Sequence, residues 1–461
     1  MIDFTLAFPA GFLWGAATSA YQVEGGRPPN NWAAWESELG RIYRDHRAGQ
    51  ACDWWGGRYI EDFDRAADLH HNAHRLSVEW SRIEPERGKF DGEALDHYHE
   101  MIAALRERGM EPLVTLHHFT NPLWVEEMGG WTNIETVQRF ERFARLMVDE
   151  LGQSVSMWCT INEPMVYATQ SYLLGRFPPG QRNLKRTYQV AANLLRGHAA
   201  AYHAIKKYQA DAQVGLAKHQ ISLKTRRPTL LHIPARNLIR QTFNRAYIEA
   251  LLTGALKFPS FKVDVPEVRD TVDWIGLNYY YRFLAGFSLF APRQRFVQQA
   301  RPRDGILGPE SVGEIWPEGV FEQIRWLGER TDKPLYVTEN GVPDAEDTLR
   351  PLHMIRSIRS VWQAINYNYP VKGYFYWTLV DDFEWAEGYD PRFRFGLYGC
   401  DPKTQTRTPK TSAALYGEIC AANGLTADMV RRFVPDAFDE LFPGVEVQAN
   451  VEIPTRDGYS G

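Results

Sequence analysis

Short apolar runs and longer amphipathic stretches alternate along most of the chain. Runs such as 155–159 and 334–337, which are rich in β-branched or aromatic residues and are soon cut off by Pro or Gly, are typical of buried strands. Stretches such as 91–108, in which apolar residues recur every three or four positions, predict helices. Strands are predicted at 12–18, 75–80, 111–118, 155–163, 213–218, 272–278, 334–339 and 371–379. Helices are predicted at 57–69, 91–108, 134–151, 186–208, 230–252, 320–329 and 354–367.

This alternation also predicts the fold class. Strands separated by helices form parallel sheets, and eight of them predict an α/β fold, a single-domain (β/α)8 TIM barrel with elaborated loops at its C-terminal face. A doubly wound open sheet is the alternative, but no G-x-G-x-x-G motif follows the first strand. Residues 1–435 are assigned to the barrel, and residues 436–461 to a tail that packs on the surface or is partly disordered. The stretch 281–310 is expected to form a loop at the rim of the site.

Composition and charge narrow the function classes. The chain has 461 residues, of which 44% are hydrophobic and 24% are charged, and its net charge is −5. These values are typical of a soluble globular protein and argue against nucleic acid or an anionic membrane as a partner. No segment resembles a signal peptide or a membrane span, so a cytoplasmic location is expected. Aromatic residues make up 13% of the chain, and their apolar faces suit the stacking of sugar rings.

The cysteines and histidines do not predict a disulfide framework or a metal site. The cysteines are widely scattered, without C-x-x-C spacing, at Cys52, Cys159, Cys400 and Cys420. The histidine pairs 70–71 and 117–118 are sequence neighbours, so each pair offers at most one inward ligand on a strand. No serine lies in a nucleophile elbow, and no Gly-rich phosphate cradle is present. No cofactor is expected. The sequence leaves open whether the protein forms a homo-oligomer.

Two glutamates lie where predicted strands end. Glu163 follows the run 155–159, and Glu339 follows the run 334–337. Carboxylates at the ends of two strands far apart in sequence suit acid–base or nucleophilic work on an acetal. One such glutamate alone would more often cap a helix or pair with an arginine. Two such glutamates, each beside an asparagine, favour a catalytic role.

The ends of the predicted strands carry further polar and aromatic residues. In a barrel of this kind, the C-terminal ends of the strands and the loops that follow build the site. These positions combine carboxylates, amide and imidazole groups, and indoles. The combination suits sugars, because hydroxyl groups need polar partners while the C–H face needs an aromatic platform. The predicted site residues are Gln22, His118, Asn162, Glu163, Tyr280, Glu339, Trp377, Glu384 and Trp385.

Seven sequence motifs resemble those of glycoside hydrolase family 1, the β-glucosidase family, from about Phe8 to Ala422. Any one motif would be weak evidence, but seven in the family's order are highly specific. They are FLWGAATSAYQVEGG (12–26), RLSVEWSRIEP (75–85), TLHHFTNPLW (115–124), WCTINEP (158–164), IGLNYY (275–280), VTENG (337–341) and WTLVDDFEWAEGY (377–389). The resemblance implies a retaining, exo-acting β-glycosidase that releases terminal β-D-glucosyl residues from small β-glycosides or oligosaccharides without a cofactor.

By this resemblance, Glu339 is the nucleophile and Glu163 is the general acid and base. A retaining mechanism uses two carboxyl groups roughly 5–5.5 Å apart that act in turn on the anomeric carbon. Arg75 and the Tyr280 hydroxyl are expected to keep Glu339 ionised. The pKa of Glu163 is expected to be raised by burial and by the charge of Glu339, and to fall once Glu339 is glycosylated.

The resemblance also implies how the sugar is held. Asn162 is expected to bind the 2-hydroxyl, and Trp377 to form the stacking floor. The positions that bind the 3-, 4- and 6-hydroxyls are matched by Gln22, His118, Glu384 and Trp385. Members of the family that act on phospho-sugars replace the glutamate at position 384. Its presence therefore favours unphosphorylated glucose-like or galactose-like substrates.

The sequence departs from the family pattern at positions that are expected to affect the leaving-group site. These departures leave the catalytic residues unchanged. Phe119 stands where Trp is common, Asp382 stands where Asn is usual, and Asp390-Pro391 lengthens a loop. The segment 313–319 has GEIWPEG instead of WEIYPEG, which removes an aromatic wall. Broad β-galactosidase or β-fucosidase activity and transglycosylation stay open as alternatives. A sugar-binding barrel without turnover is a more distant one.

Overall fold

The structure, a computed structural model, describes residues 4–225, 229–289, 297–300, 305–309 and 312–443. Within these residues, eight parallel strands close into a barrel: β1 (Leu13–Ala17), β2 (Ala73–Ser77), β3 (Glu111–His117), β4 (Met157–Asn162), β5 (Gln213–His219), β6 (Trp274–Tyr279), β7 (Leu335–Asn340) and β8 (Val371–Trp377). Each strand pairs with its neighbours in chain order, and β8 pairs with β1. The predicted (β/α)8 barrel is therefore confirmed.

A helix follows each barrel strand. These helices are α1 (Tyr59–Asp68), α2 (Gly92–Glu107), α3 (Glu135–Leu151), α4 (Leu184–Tyr208), α5 (Ala246–Thr253), α6 (Gly319–Gly328), α7 (Arg350–Asn366) and α8 (Thr411–Ala422). At the start of α2, the Asp91 side chain accepts a hydrogen bond from the backbone N–H of Ala94, which is the usual N-cap arrangement. The shorter helices are Ala20–Val23, Asn31–Trp35, Trp80–Ile83, Leu123–Glu127, Pro164–Thr169, His232–Ile239, Ala427–Phe433 and Phe438–Leu441.

Alternate residues of the barrel strands face two separate apolar layers. On β8, Phe375 and Trp377 belong to a cluster that draws on the strands but not on helices α1 to α8. Tyr374 and Tyr376 belong to the larger cluster shared with the helices. Because side chains alternate along a strand, the first cluster fills the inside of the barrel and the second packs outside it. Trp377, at the end of β8, therefore faces the inside.

The stretch 281–310 was expected to be a rim loop, and its described part differs. Strand Tyr281–Phe287 pairs with Ser222–Thr225, Val297–Ala300 and Glu314–Ile315 in a small sheet that follows β6. The aromatic and aliphatic residues of its sequence, YRFLAGF, suit a strand. Residues 290–296, 301–304 and 310–311 lie outside the described residues.

Two other segments also differ from the prediction. The helix expected at 230–252 is divided into His232–Ile239 and α5 by a π-helical turn at Arg240–Arg245, which the apolar spacing did not indicate. No helix was predicted in the segment 27–55, which has little periodicity, but it contains the helix Asn31–Trp35. Its start is stabilised by the Asn30 side chain, which accepts a hydrogen bond from Ala33 N–H.

The two ends of the described chain meet beside the barrel. Strand Thr5–Ala7 pairs antiparallel with Gly424–Thr426. The predicted tail begins with the short helix Phe438–Leu441, and residues 444–461 lie outside the described residues. None of the helices in the described ranges has the length and hydrophobicity that crossing a bilayer needs.

Candidate active site

The carboxyl ends of the barrel strands surround a cavity of about 190 Å³. Seven predicted site residues line it: His118, Glu163, Tyr280, Glu339, Trp377, Glu384 and Trp385. The other three hydrogen-bond to these lining residues: Gln22 to Glu384, Arg75 to Glu339 and Asn162 to His118. Residues that are far apart in sequence are thus brought to one place.

Glu163 occupies the turn between β4 and the helix Pro164–Thr169. Proline at the first helical position loses no helical hydrogen bond, so Pro164 both ends the strand and begins the helix. The backbone of Glu163 is left-handed, with φ +45°, which costs roughly 1–2 kcal/mol for a non-glycine residue. Its N–H donates to the carbonyl of Ala217 on β5 at 2.8 Å, which holds the turn. Backbone strain of this kind clusters at functional sites.

An irregularity in β7 orients Glu339. Leu277 of β6 pairs with Val337 of β7. The next residue of β6 pairs with Glu339, so Thr338 is an extra residue in β7. Val337 belongs to the outer apolar cluster, and in a regular strand Glu339 would face the same way. The bulge reverses the alternation, and Glu339 lines the cavity instead.

Glu339 accepts hydrogen bonds at both carboxylate oxygens. Arg75 donates from Nη1 to Oε1 at 2.5 Å, and the Tyr280 hydroxyl donates to Oε2 at 2.7 Å. The buried guanidinium of Arg75 also donates to the Thr338 carbonyl at 3.2 Å and to Asn162 Oδ1 at 2.7 Å. Arg75 and Tyr280 thus both contact the carboxylate that they were expected to hold.

Two asparagines connect the two carboxyl groups. Asn278 Nδ2 donates to Asn162 Oδ1 at 3.1 Å and to Glu163 Oε1 at 2.9 Å. Since Asn162 Oδ1 also accepts from Arg75, hydrogen bonds run from Glu339 to Glu163 through one guanidinium and two amides. Such a buried, connected network fixes the two carboxyl groups relative to each other.

Burial raises the pKa of Glu339 to about 7. Arg75 and Tyr280 act against this shift, and the negative charge of Glu163 adds to it. Two buried carboxyl groups that interact in this way titrate as a pair, so the protonation of each depends on the charge of the other.

The pKa of Glu163 was expected to be raised, and this expectation is wrong. Burial is the largest single effect and favours the neutral carboxyl group, but the charge and hydrogen bond of His219, together with Asn278 and Arg75, outweigh it. The pKa of Glu163 therefore lies below its ordinary value. His219, at the end of β5, lies 3.1 Å from Glu163 Oε1 through its Nδ1. It was absent from the predicted site.

The amide of Gln22 lies among three acceptors at one end of the cavity. Its Nε2 is 3.1 Å from the Phe383 carbonyl and 3.4 Å from both Asp382 Oδ1 and Glu384 Oε2. Burial, reinforced by nearby carboxylates, raises the pKa of Glu384 to about 8. Burial also raises the pKa of Asp382 well above its ordinary value. Neutral carboxyl groups can both donate hydrogen bonds to hydroxyl groups and accept hydrogen bonds from them.

Stacked rings close this end of the cavity. The rings of Trp377 and Trp385 lie against His118, at centroid distances of 5.9 and 6.0 Å. Behind them, Trp385 packs on Trp32 at 4.7 Å and on Phe119 at 5.2 Å. Burial holds the pKa of His118 well below its ordinary value, so its imidazole is neutral. The result is a wall of rings with polar groups along its edge.

The departures from the family pattern change another part of the lining. Ile315, in the segment that lacks the aromatic wall, and Val312, just before this segment, line the cavity. The nearby Trp316 ring packs under the Arg282 guanidinium, 3.5 Å from its centroid. Phe393, in the loop that contains Asp390-Pro391, contributes a ring to the lining. These changes affect what surrounds a leaving group and leave the carboxyl groups in place.

Phe393→Ala is expected to raise KM for 4-nitrophenyl β-D-glucoside about fivefold with little change in kcat, because a ring in the cavity lining would contact the aryl group equally before and during reaction. Methyl β-D-glucoside, which has no aryl group, should show no change. Phe90→Ala, which removes an exposed ring outside the cavity lining, is the matched control. A fall in kcat with both substrates would contradict this assignment.

Among the residues that contact the carboxyl groups or line the cavity, several escaped prediction, including His219, Asn278 and Phe393. His219 and Asn278 lie near the ends of β5 and β6, so the strand-end rule that predicted the other residues applies to them too. No local signal marked Phe393. In the part of the chain that the structure describes, no group of three or more His, Cys, Asp or Glu side chains is arranged to hold a metal ion.

Comparison with known proteins relates the chain to one family. Residues 4–425 match the model of glycosyl hydrolase family 1. The curated protein β-glucosidase A of Thermotoga maritima is 32% identical over 447 aligned positions, which cover 91% of this chain and 98% of that protein.

Solved structures agree with the sequence comparison. A β-glycosidase from Pyrococcus horikoshii superposes with a TM-score of 0.86 at 33% identity, over 93% of this chain and 98% of that one. A β-glucosidase from Thermotoga maritima in complex with glucoimidazole superposes with a TM-score of 0.84 at 31% identity, over 91% of this chain and 100% of that one.

Proposed function

The chain belongs to glycosyl hydrolase family 1, and we propose that it is a retaining, exo-acting β-glucosidase. It hydrolyses terminal β-D-glucosyl residues of small β-glycosides or oligosaccharides through a covalent glycosyl-enzyme intermediate. The observation that carries the proposal is the pair of buried glutamates, Glu163 and Glu339, that face one cavity and are joined by a continuous hydrogen-bond network. The names of the relatives, β-glucosidase and β-glycosidase, support the same substrate class.

In the first step, Glu339 acts as the nucleophile. Its carboxylate attacks the anomeric carbon of the terminal sugar, and the bond from that carbon to the leaving oxygen breaks. Glu163 transfers its proton to that oxygen, so the aglycone leaves as a neutral alcohol. Arg75 and Tyr280 donate to the two oxygens of Glu339 and support its ionised form before the attack.

In the second step, water takes the place of the aglycone. Glu163 is now a carboxylate and takes a proton from the water, whose oxygen attacks the anomeric carbon and releases Glu339. Because Glu339 is an ester at this stage, its charge no longer opposes the charge of Glu163. Two successive inversions at the anomeric carbon give net retention.

The sugar is held by the polar groups and rings at the closed end of the cavity. One N–H of the Asn162 amide donates to His118 Nε2 at 3.0 Å, and its second N–H donates to the 2-hydroxyl of the sugar. Trp377 is the platform for the apolar face of the sugar. The residues that bind the 3-, 4- and 6-hydroxyls are Gln22, His118, Glu384 and Trp385. The wall of rings behind Trp385 supports exo action, because it admits only the end of a sugar chain.

A matched panel of 4-nitrophenyl glycosides, compared by kcat/KM, tests this proposal. We expect the β-glucoside to be hydrolysed more than about 10²-fold faster than the α-glucoside or the 6-phospho-β-glucoside. The carboxyl groups of Asp382 and Glu384 disfavour a phosphate at the closed end, because their neutral forms offer it no positive charge and their ionised forms repel it. The kcat/KM values for the β-galactoside and β-fucoside in the panel measure how strongly the enzyme discriminates between substituents at the 4- and 6-positions of the sugar.

The panel separates the proposal from its alternatives. Faster hydrolysis of the β-galactoside or β-fucoside would change the sugar and keep the mechanism. Preference for the α-glucoside, or no turnover of any β-glycoside by the folded protein, would contradict the proposal. Products longer than the substrate would indicate transglycosylation, in which an acceptor alcohol replaces water in the second step.

A further inference from the structure

We propose that His219 is a positioning residue that controls the protonation of Glu163. Through its charge and its hydrogen bond, it favours the carboxylate form of Glu163 and thereby restrains acid-assisted departure of the aglycone. The inference rests on the proposed function, since it takes Glu163 as the acid and base of the reaction.

The geometry places the imidazole directly on the carboxyl group. His219 Nδ1 lies 3.1 Å from Glu163 Oε1, and the two side chains are only 5% and 9% exposed. The ring of His219 stacks on the ring of Tyr280, with their centroids 5.8 Å apart. It also packs against Tyr281 and Phe243, at centroid distances of 5.6 and 5.8 Å. Packing on three sides leaves the imidazole little freedom to move away from Glu163.

The two oxygens of the Glu163 carboxyl group have different surroundings. Oε1 lies 3.1 Å from His219 Nδ1, and it accepts a hydrogen bond from Asn278 Nδ2 at 2.9 Å. Oε2 accepts no hydrogen bond from the described part of the chain, and Glu163 lines the cavity. One oxygen is therefore anchored, and the other is available to carry the proton for the substrate.

Other charged or titratable groups also act on this pair. They are Arg75 and Lys218, which are basic, Glu339 and Glu384, which are acidic, and the phenols of Tyr280 and Tyr281. Lys218 is buried and donates from Nζ to the His219 carbonyl, and burial lowers its pKa to about 7. Among the charged groups, His219 makes the largest contribution that lowers the pKa of Glu163.

The direction of the effect follows from the charges. An imidazolium beside Glu163 stabilises the carboxylate, so a smaller fraction of the enzyme holds the proton that the first step needs. When the imidazole is neutral, this stabilisation disappears. Glutamine at position 219 keeps an N–H donor but never carries a charge, so it mimics the neutral imidazole at every pH.

His219→Gln tests the proposal with two substrates across a range of pH. Methyl β-D-glucoside has a poor leaving group and needs the acid, whereas 2,4-dinitrophenyl β-D-glucoside does not. With the methyl glucoside, kcat/KM of His219→Gln should exceed that of the wild type by about tenfold at the acidic end of the pH range. The ratio should fall towards one as the pH rises, because a neutral imidazole exerts no charge on Glu163. With the dinitrophenyl glucoside, the ratio should stay near one.

Two further variants serve as controls. His219→Asn tests whether the result depends on one substitution, and circular dichroism and Tm show whether each variant is folded. His99→Gln makes the same exchange beside a glutamate elsewhere, because His99 Nε2 lies 3.3 Å from Glu150 at a site that is 43% exposed. The ratio for His99→Gln should be one at every pH with both substrates.

The possible outcomes separate this inference from the proposed function. A ratio near one at every pH with both substrates, or an equal loss with both substrates, overturns the role of His219. Glu163→Ala, assayed with the same pair, tests the acid itself. If that variant hydrolyses methyl β-D-glucoside like the wild type, both proposals fail. If it loses this activity while His219→Gln shows no pH-dependent ratio, only the inference about His219 fails.

Discussion

Replacing Glu339 with alanine is expected to lower kcat/KM for 4-nitrophenyl β-D-glucoside by roughly 10⁴-fold or more. The carboxylate forms the covalent bond to the anomeric carbon, and Glu163 cannot take its place because the first step needs it as the acid. Azide, a small anionic nucleophile, should restore part of the turnover in the space that the side chain leaves. The product should be α-D-glucosyl azide, because a single displacement inverts the anomeric carbon.

The control for this variant must account for stability. Removing Glu339 leaves the buried Arg75 without its partner, which costs about 3–5 kcal/mol in the free energy of unfolding. Glu24→Ala is the matched control, since Glu24 is also buried and accepts from buried Arg82 at 2.7 Å, outside the cavity lining. It should lose similar stability and keep its kcat at temperatures where it is folded. Undiminished turnover by folded Glu339→Ala would refute the assigned nucleophile.

Glu163→Ala should separate substrates by their leaving groups. For methyl β-D-glucoside, kcat/KM should fall about 10²- to 10⁴-fold, because the alkoxide cannot leave without a proton. For 2,4-dinitrophenyl β-D-glucoside, kcat/KM should change little, while kcat falls because no base activates water in the second step. Azide, which needs no base, should raise kcat and give β-D-glucosyl azide through two inversions.

Glu126→Ala provides the comparison for this variant. Glu126 accepts a hydrogen bond from Asn121 at 2.7 Å and does not line the cavity, so its loss should not distinguish the two substrates. Equal losses on the methyl and dinitrophenyl glucosides in Glu163→Ala would contradict acid catalysis by this residue. Formation of the α-azide would assign Glu163 the role of the nucleophile.

The fold and the positions of the glutamates could be predicted because their signals are local. Apolar runs mark the strands, and the strand-end rule leads directly to Glu163 and Glu339. The orientation of Glu339 could not be predicted, because it depends on a bulge in which the extra residue Thr338 shifts Glu339 by one place relative to β6. A bulge arises from pairing between strands and leaves little trace in one strand's own sequence.

The charge state of Glu163 escaped prediction for a related reason. Burial raises the pKa of a carboxyl group, and from the sequence this was the expected dominant effect. The structure adds His219, which belongs to another strand and reaches Glu163 only when β4 and β5 pair. A pKa depends on the neighbours on all sides, and those neighbours are set by tertiary contacts. The small sheet at Tyr281–Phe287 was missed because its Gly/Pro-punctuated surroundings suggested a loop.

Trapping the intermediate tests the central claim most directly. In 2,4-dinitrophenyl 2-deoxy-2-fluoro-β-D-glucoside, the fluorine slows both steps, while the good leaving group still allows the first, so the glycosyl-enzyme should accumulate. Mass spectrometry of the inactivated protein should show one fluoroglucosyl group per chain, on the peptide that contains Glu339. A label on a different residue, or inactivation without any covalent label, would contradict the assignment of Glu339 as the nucleophile of a retaining β-glucosidase.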